Sequence, residues 1–132
     1  MSCVFCLIKN GDIPSRKIYE DDKVLAILDI SQATKGHTLV IPKEHYATLF
    51  DMPTDLYMHL QSVVQMLAKK ICKNLGAIGC NILNNNGRPA GQMVDHFHVH
   101  ILPRYANDDL KLEFTDHGND FDQDEILKEI LK

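Results

Sequence analysis

The chain lacks any apolar run long enough to cross a bilayer, and no apolar stretch follows its first residues. A membrane-spanning helix needs roughly 20 consecutive apolar residues, and a secretory signal needs an apolar core of its own. The sequence therefore gives no indication of insertion or export. We expect a cytoplasmic protein that has no membrane as a partner.

Two common phosphate-binding motifs are also missing, the Walker A pattern and the Gly-x-Gly-x-x-Gly dinucleotide fingerprint. Any phosphate site must therefore be built in another way. The formal net charge of -4 disfavours a long nucleic-acid polymer as a partner. Local charge can still hold a small anion.

The chain has four cysteines: Cys3, Cys6, Cys72 and Cys80. Without a secretory signal, cysteines are reduced or metal-bound more often than disulfide-linked. We expect Cys72 to be a packing residue of its helix and Cys80 to lie in the core. Cys3 and Cys6 form a Cys-x-x-Cys motif, which can present two thiolates to one zinc ion. A redox dithiol is the rival interpretation, but that motif usually opens a helix in a βαβ context, which this sequence lacks.

The hydrophobic pattern predicts one domain over residues 1–132, without repeats or low-complexity linkers. Residues 54–75 form the one strong helical pattern, which we expect Thr54 to cap and Gly76 to end. Strand patterns cover residues 18–30, with a turn at 20–22, and then 36–42, 78–84 and 94–102. This order predicts an α+β fold, an antiparallel sheet of about five strands with one long helix and short terminal helices.

The tail from about Asn107 is acidic. Residues 122–132 predict a short amphipathic helix, with an apolar side made by Ile126, Leu127, Ile130 and Leu131. Such a helix needs a surface to pack on, either in its own domain or on a second subunit.

Three histidines alternate with apolar residues in the run from His96 through His98 to His100. On an extended strand the three imidazoles would line one face, and Phe97 and Val99 would face the core. One chemistry this allows is a zinc hydrolase that uses the histidines as ligands. The other is a neutral imidazole that attacks phosphorus while its neighbours bind phosphate oxygens. In the second case we expect the loop of residues 85–92 to supply an anion nest of backbone N–H groups, around Gly87, Ala90 and Gly91.

These histidines and the apolar residues after them resemble the signature of the histidine-triad nucleotide-binding superfamily, His-φ-His-φ-His-φ-φ, where φ is apolar. Residues 28–31, 36–45, 85–87 and 91–92 resemble family segments in the family order. The resemblance covers about Cys3 to Tyr105. It implies a HIT-like α+β fold, a side-by-side homodimer and attack on the α-phosphate of a nucleotide conjugate.

The same resemblance implies roles for individual residues. His98 would be the nucleophile that forms a transient nucleotidyl-histidine, His100 would hold phosphate oxygens, and His37 would complete the catalytic set. The implied phosphate-side contacts are Asn85, Gly91 and Gln92. Asp29 would bind the ribose hydroxyls, and an apolar slot for the base would be formed by Phe5, Ile8, Ile27 and Ile30.

Met93 departs from the family pattern, which commonly has Ser or Thr at this place on the leaving-group side of the nucleotide site. A thioether donates neither a proton nor a strong hydrogen bond. The leaving group must then be protonated by water, by the substrate or by another residue.

The resemblance also extends to zinc-bearing relatives with a Cys-x-x-Cys motif and two histidines at matching positions. It implies a tetrahedral structural zinc site made by Cys3, Cys6, His45 and His96, and no catalytic metal. The alternative is a buried cysteine pair beside an unmetallated His96.

The function that the sequence favours is hydrolysis of the α-phosphate bond in purine nucleoside phosphoramidates or other adenylated compounds. The alternatives are a dinucleoside polyphosphate hydrolase, a non-catalytic purine-nucleotide sensor, and a metallohydrolase that uses the triad as its metal site.

Overall fold

A five-stranded antiparallel sheet is the centre of the fold in the computed structural model, which describes residues 3–132. Along the chain the elements are α1 (Val4–Lys9), β1 (Lys17–Glu20), β2 (Val24–Leu28), β3 (Thr38–Pro42), α2 (Thr54–Leu75), β4 (Gly79–Leu83), a 3₁₀ turn (Arg88–Ala90), β5 (Val99–Arg104) and α3 (Gln123–Ile130). The strands lie in the order β1-β2-β3-β5-β4, and each neighbouring pair is antiparallel. The predicted α+β architecture is confirmed.

The two faces of the sheet are covered by different helices. One face packs on α2 and forms the larger core, with the buried residues Val24, Ala26, Val40, Met52, Leu60, Val63, Val64, Leu67, Ile71, Phe97, Val99 and Ile101. On the other face a smaller cluster joins two α1 residues to the strands, and its buried members are Phe5, Ile8, Leu25, Ile27, Leu39 and Ile41. β3 is buried along its whole length because both faces of this central strand are covered.

Helix α2 has the predicted range but not the predicted cap. Pro53 occupies the N-cap position, and no side chain caps this end, so the expectation for Thr54 is wrong. Thr54 is instead the first helical residue. Gly76 ends the helix as predicted, in the left-handed conformation with φ of 71°.

Strand β5 begins at Val99, five residues later than the predicted start at Val94. The backbone N–H of Phe97 donates to the Tyr46 carbonyl at 2.6 Å, so the loop after β3 holds this stretch and the strand ladder does not. His96 and His98 therefore precede the strand, and only His100 lies in it. The predicted alternation survives, because Phe97 and Val99 are buried in the core against α2.

The expectation that Cys80 lies in the core is wrong. Cys80 is exposed because it lies on β4, the last strand of the sheet. Cys72 is only partly buried on α2. An edge strand has no neighbour on its outer side, and the sequence pattern does not distinguish it from an inner strand.

The acidic tail is exposed along residues 111–132. Within it Asp122 caps α3, because its side chain accepts hydrogen bonds from the backbone N–H groups of Asp124 and Glu125. Among residues 3–132, no helix has both the length and the apolar character needed to cross a membrane.

Gly36 provides a test of how closely α2 is packed against the sheet. Its φ is +91°, and a Cβ atom placed there would lie 2.5 Å from Leu75 Cδ1 and 3.3 Å from Pro103 Cγ. We expect Gly36→Ala to lower the free energy of unfolding by about 2–3 kcal/mol, from left-handed strain and overpacking together. Chemical denaturation measures this loss.

Gly79→Ala is the matched control, because Gly79 has no atom within 4 Å of its added Cβ. We expect it to change stability by less than about 0.5 kcal/mol. Equal losses for the two variants would contradict the close packing at Gly36.

Candidate active site

Three imidazoles meet where β3 and β5 lie side by side. The register pairs Leu39 with His100, and His37 lies two residues before Leu39, on the same face of the chain. His37 Nε2 is consequently 2.8 Å from His100 Nδ1. The His98 ring stands against that of His100 with centroids 4.9 Å apart. His37, His98 and His100 are called the imidazole group below.

The hydrogen bonds of His98 determine which of its nitrogens is free. Its Nδ1 lies 2.8 Å from the backbone carbonyl of His96. A carbonyl can only accept, so Nδ1 carries the proton, and in the neutral ring Nε2 keeps an unshared electron pair. The side chain of Asn84 donates to the carbonyl of His98 at 2.9 Å and holds its backbone.

Asn84 is a positioning residue that the sequence analysis missed. The triplet of asparagines at 84–86 was the available signal, since Asn86 donates to Asn84 Oδ1 at 2.6 Å. Asn86 also accepts from the backbone N–H of Leu49 at 2.8 Å. Two of the three amides thus connect β4 to the run before β5 and to the loop after β3.

The other two rings form a relay of hydrogen bonds. The backbone N–H of Ala33 donates to His37 Nδ1 at 3.2 Å, so the proton of a neutral His37 ring lies on Nε2. His37 Nε2–H then donates to His100 Nδ1. His100 in turn carries its proton on Nε2, which leaves an N–H donor on the ring next to His98.

Burial keeps the imidazole group uncharged near neutral pH. It lowers the pKa of His98 below its usual value, and the Phe5 ring packs edge-on against His98 at 5.0 Å. Burial, with repulsion from His98 and His37, lowers the pKa of His100 to about 4. The pKa of His37 is also lowered by burial, although Asp29 acts in the opposite direction.

Asp29, predicted to bind the ribose, lies at the edge of this group. Its Oδ2 is 3.5 Å from His37 Nε2, and its Oδ1 accepts from the backbone N–H of Ser31 at 2.8 Å. Asp29, His37 and His100 also bring three potential metal-ligating atoms within 4.8 Å of one another. The predicted neighbourhood of Asp29 and the histidines is therefore present.

Most of the predicted base slot is apolar and continuous with the imidazole group. Phe5, Ile8 and Ile27 belong to the smaller core cluster, and the Phe5 ring contacts His98. Ile30 does not join them, since 94% of it is exposed. It follows Asp29 just beyond the end of β2, where no element covers it.

The predicted anion nest in residues 85–92 is not formed. The backbone N–H groups of Ala90, Gly91 and Gln92 donate to carbonyls of Gly87 and Arg88 within the same turn. The Gly87 N–H donates to the Gln92 side chain at 2.7 Å. The 3₁₀ turn satisfies these donors locally, so they are not presented to a ligand.

Gln92 is buried and holds this loop closed. In addition to accepting from Gly87, its amide donates to the carbonyls of Ala47 at 2.7 Å and Val94 at 2.9 Å. Asn85 donates across the loop to the Gly91 carbonyl at 3.4 Å. Met93 projects outward with 79% of its surface exposed.

The four residues predicted to bind zinc also converge. His96 Nδ1 lies 3.3 Å from Cys3 Sγ, 3.6 Å from Cys6 Sγ and 3.1 Å from His45 Nδ1, and Cys6 Sγ is 3.5 Å from His45 Nδ1. Tetrahedral zinc with its usual bond lengths requires sulfur–nitrogen separations of about 3.6 Å and a nitrogen–nitrogen separation of about 3.3 Å. The donor set and its spacing therefore fit a zinc ion. These four residues are called the thiol–imidazole cluster.

The His96 ring is oriented for ligation. Its Nε2 lies 2.8 Å from the Pro42 carbonyl, so Nε2 carries the proton and Nδ1 presents its electron pair to the cysteines. A backbone carbonyl that fixes the tautomer in this way is a common partner of metal-bound histidines.

Comparisons with known proteins agree with this geometry. The family model of the HIT domain matches residues 10–107. An uncharacterized HIT-like protein of Methanocaldococcus jannaschii is 49% identical over 128 residues, which cover 97% of this chain and 98% of that protein. An adenosine 5'-monophosphoramidase of Schizosaccharomyces pombe is 46% identical over 104 residues, 79% of this chain and 75% of that protein.

Solved structures that resemble this chain are also those of HIT family proteins. A HIT family protein of Bacillus subtilis superposes with a TM-score of 0.93 at 44% identity, covering 99% of this chain and 96% of that one. A zinc-bound histidine triad family protein of Mycobacterium smegmatis has a TM-score of 0.80 at 43% identity, covering 91% and 87%.

The hydrogen bonds predict a different tautomer for each kind of histidine. We expect His98 to be protonated on Nδ1, and His37, His96 and His100 on Nε2. Two-bond proton–nitrogen correlation spectra of ¹⁵N-labelled protein near pH 7.5 distinguish the two forms. An Nε2-protonated His98 would contradict the assignment. The exposed His117, which lies in the tail, serves as the reference ring.

Proposed function

The chain belongs to the HIT domain family, and from this membership we propose that it hydrolyses the α-phosphate bond of purine nucleoside phosphoramidates or similar adenylated compounds. The observation that carries the proposal is the unshared electron pair on Nε2 of His98, which the carbonyl of His96 fixes. The S. pombe relative is named an adenosine 5'-monophosphoramidase, which supports the choice of substrate class.

In the first step His98 Nε2 forms a bond to the α-phosphorus, and the bond from phosphorus to the leaving group breaks. The attacking His98 ring becomes cationic, which strengthens the hydrogen bond from its Nδ1–H to the carbonyl of His96. The Nε2–H of His100 donates to a phosphate oxygen. The departing amine takes a proton from water, because Met93 offers none.

In the second step water attacks the phosphorus and the bond to His98 Nε2 breaks. One proton of the attacking water passes to the solvent, where it neutralises the hydroxide left by the first step. The products are the nucleoside monophosphate and the neutral His98 ring. Splitting the reaction in this way replaces one difficult displacement by two easier ones. Because the imidazole group is uncharged near neutral pH, the nucleophile needs no prior deprotonation.

The remaining contacts complete the proposed nucleotide site. Asp29 accepts hydrogen bonds from the ribose hydroxyls, and the base lies in the slot of Phe5, Ile8 and Ile27, with the exposed Ile30 at its rim. On the phosphate and leaving-group side are Asn85, Gly91, Gln92 and Met93. Gln92 acts there by shaping the loop, since its side-chain hydrogen bonds go to the backbone.

A purine-nucleotide sensor is the second candidate, and the exposed thioether of Met93 is the observation that favours it. A binding protein breaks no bond, so it needs no proton donor beside a leaving group. The two functions differ in turnover and not in affinity. A dinucleoside polyphosphate hydrolase would show itself by faster turnover of diadenosine polyphosphate than of an adenosine phosphoramidate.

The thiol–imidazole cluster holds a structural zinc ion in this proposal. Zinc there would join α1, the loop after β3 and the run before β5, which carry Cys3 and Cys6, His45, and His96 respectively. When bound, the ion supplies folding free energy and orientation. The zinc-bound relative supports this assignment.

A homodimer is the proposed assembly. β4 pairs only with β5 within residues 3–132, which leaves its outer edge open. Ile78 and Ile82 are exposed beside this edge, and Met66 is exposed on α2. An open edge flanked by apolar side chains is suited to a second copy.

His98→Ala tests the catalytic proposal. We expect it to lower kcat/KM for an adenosine phosphoramidate by at least about three orders of magnitude, because the nucleophile is lost. Calorimetric affinity for AMP should stay within about threefold. Rapid quenching of the wild type followed by mass spectrometry should detect the adenylylated histidine.

His117→Ala is the matched control, since this histidine lies in the exposed tail. If the wild type bound AMP but turned over substrate no faster than His98→Ala, the sensor would replace the hydrolase.

Cys6→Ser tests the zinc site. We expect the wild type to contain one zinc per chain by elemental analysis, and the variant to lose it. The thermal midpoint should fall by about 10 °C, because binding of a structural metal contributes to folding. Cys80→Ser, on the exposed edge strand, should keep both zinc and midpoint. A wild type without zinc would contradict the assignment.

A further inference from the structure

Residues 111–132, called the arm, stand apart from the sheet and α2. All of them are exposed, and every hydrogen bond of this segment found in residues 3–132 stays within the segment. The last contacts with the domain come just before the arm, where Arg104 donates to the Leu110 carbonyl at 2.6 Å. Within residues 3–132 the arm is therefore not packed against its own domain.

The helix at the end of the arm, α3, has an exposed apolar face. Its apolar side chains recur at a spacing that places them on one face, and all four are exposed: Ile126, Leu127, Ile130 and Leu131. The lysines of this segment pair with neighbouring acidic residues, Lys128 with Glu125 in the helix and Lys132, just after its end, with Glu129. An isolated helix of 8 residues is not stable in water, so α3 depends on a partner surface.

A groove of matching character lies between the C-terminal half of α2 and the β1–β3 side of the sheet. It has a volume of about 420 Å³. Ile18, Leu28, Ile71 and Leu75 form its apolar lining, and Lys35 and Lys70 also line it. Both lysines are exposed.

Charge distinguishes the arm from the domain. Residues 111–132 contain seven acidic and three basic side chains, whereas residues 1–110 contain eleven acidic and eleven basic ones. The arm is thus negative and the rest of the chain has no formal net charge. An amphipathic helix with acidic residues in its first turn complements an apolar groove that carries lysines.

We propose that α3 of one copy of this chain docks into the groove of a second copy. The stretch that leads to the arm lies close to the groove, since Tyr105 Oη donates to the Lys35 carbonyl at 2.7 Å, yet no hydrogen bond of the arm found in residues 3–132 goes to the groove. Residues 111–117 contain no turn and can span up to about 25 Å before the turn at 118–121, which is enough for α3 to reach a neighbouring molecule. Reciprocal exchange of arms closes a two-fold pair.

The groove and the open edge of β4 are on different sides of α2. Ile71 and Leu75 of the helix line the groove. Ile82 of β4 instead shares a surface depression with Gln61 and Gln65 of the helix. Arm exchange is therefore separate from edge pairing, and it does not depend on the proposed catalysis.

Isotope-mixed cross-linking tests the proposal. Full-length protein with natural nitrogen is mixed with ¹⁵N-labelled protein, left to exchange, and treated with a zero-length carbodiimide that joins lysines to carboxylates. We expect cross-links from Lys35 or Lys70 to Asp124 or Glu125, with mixed-isotope pairs as abundant as same-isotope pairs.

Leu127→Asp should reduce these cross-links about tenfold, because it removes a leucine from the docked face. Phe114→Asp is the control, since Phe114 is exposed in the arm outside α3, and it should leave them unchanged. Same-isotope pairs alone would mean that α3 occupies its own groove. Absent groove-to-α3 cross-links would assign the groove to another occupant, and an unaffected Leu127→Asp would show that the apolar face does not dock. Each of these results overturns the proposal.

Discussion

The backbone carbonyl of His96 is the constraint on which the site depends. By accepting the Nδ1 proton of His98, it leaves Nε2 as the nitrogen with a free electron pair. A histidine whose Nδ1 faced water would sample both tautomers. Here the choice is made by the main chain, which is itself held by Asn84 on one side and by the Phe97–Tyr46 hydrogen bond on the other. The chemistry of one ring is therefore set by the loops around it.

Burial is the second condition, and it explains why α1 matters to the site. Phe5 of this short helix packs edge-on against both His96 and His98, at 5.7 Å and 5.0 Å. Apolar cover disfavours the charged form of an imidazole and so lowers its pKa. α1 has only 6 residues and no side-chain cap, so it contributes little stability of its own. A zinc ion on Cys3 and Cys6 would fix this helix at its first turn and thereby keep the cover over His98.

The sequence predicted the elements with strong periodicity and the residues that cluster, because both follow from local rules. The range of α2, the alternation around His98 and the convergence of the thiol–imidazole cluster agree with the structure. The errors come from contacts between distant segments. No strand begins at Val94 because the loop after β3 accepts the hydrogen bond of the Phe97 N–H. The burial of Cys80 was predicted wrongly because the hydrophobic pattern does not show which strand lies at the edge of the sheet. The anion nest failed for a local reason, since the 3₁₀ turn uses the same N–H groups. The resemblance anticipated the meeting of His37 with His100, which depends on the register of β3 and β5.

Two groups of potential metal ligands lie near each other, and they differ in the tautomers of their histidines. His96 Nε2–H donates to the Pro42 carbonyl, so the ring turns a bare Nδ1 toward the thiols and can offer that electron pair to a cation. His37 has the reverse arrangement: Ala33 occupies its Nδ1, and the proton sits on Nε2, the atom that faces His100. A cation at this second group would have to displace that proton and break the hydrogen bond to His100. Histidine is thus suited to metal ligation in one cluster and to a hydrogen-bond relay in the other, which favours attack by an imidazole over attack by a metal-bound water.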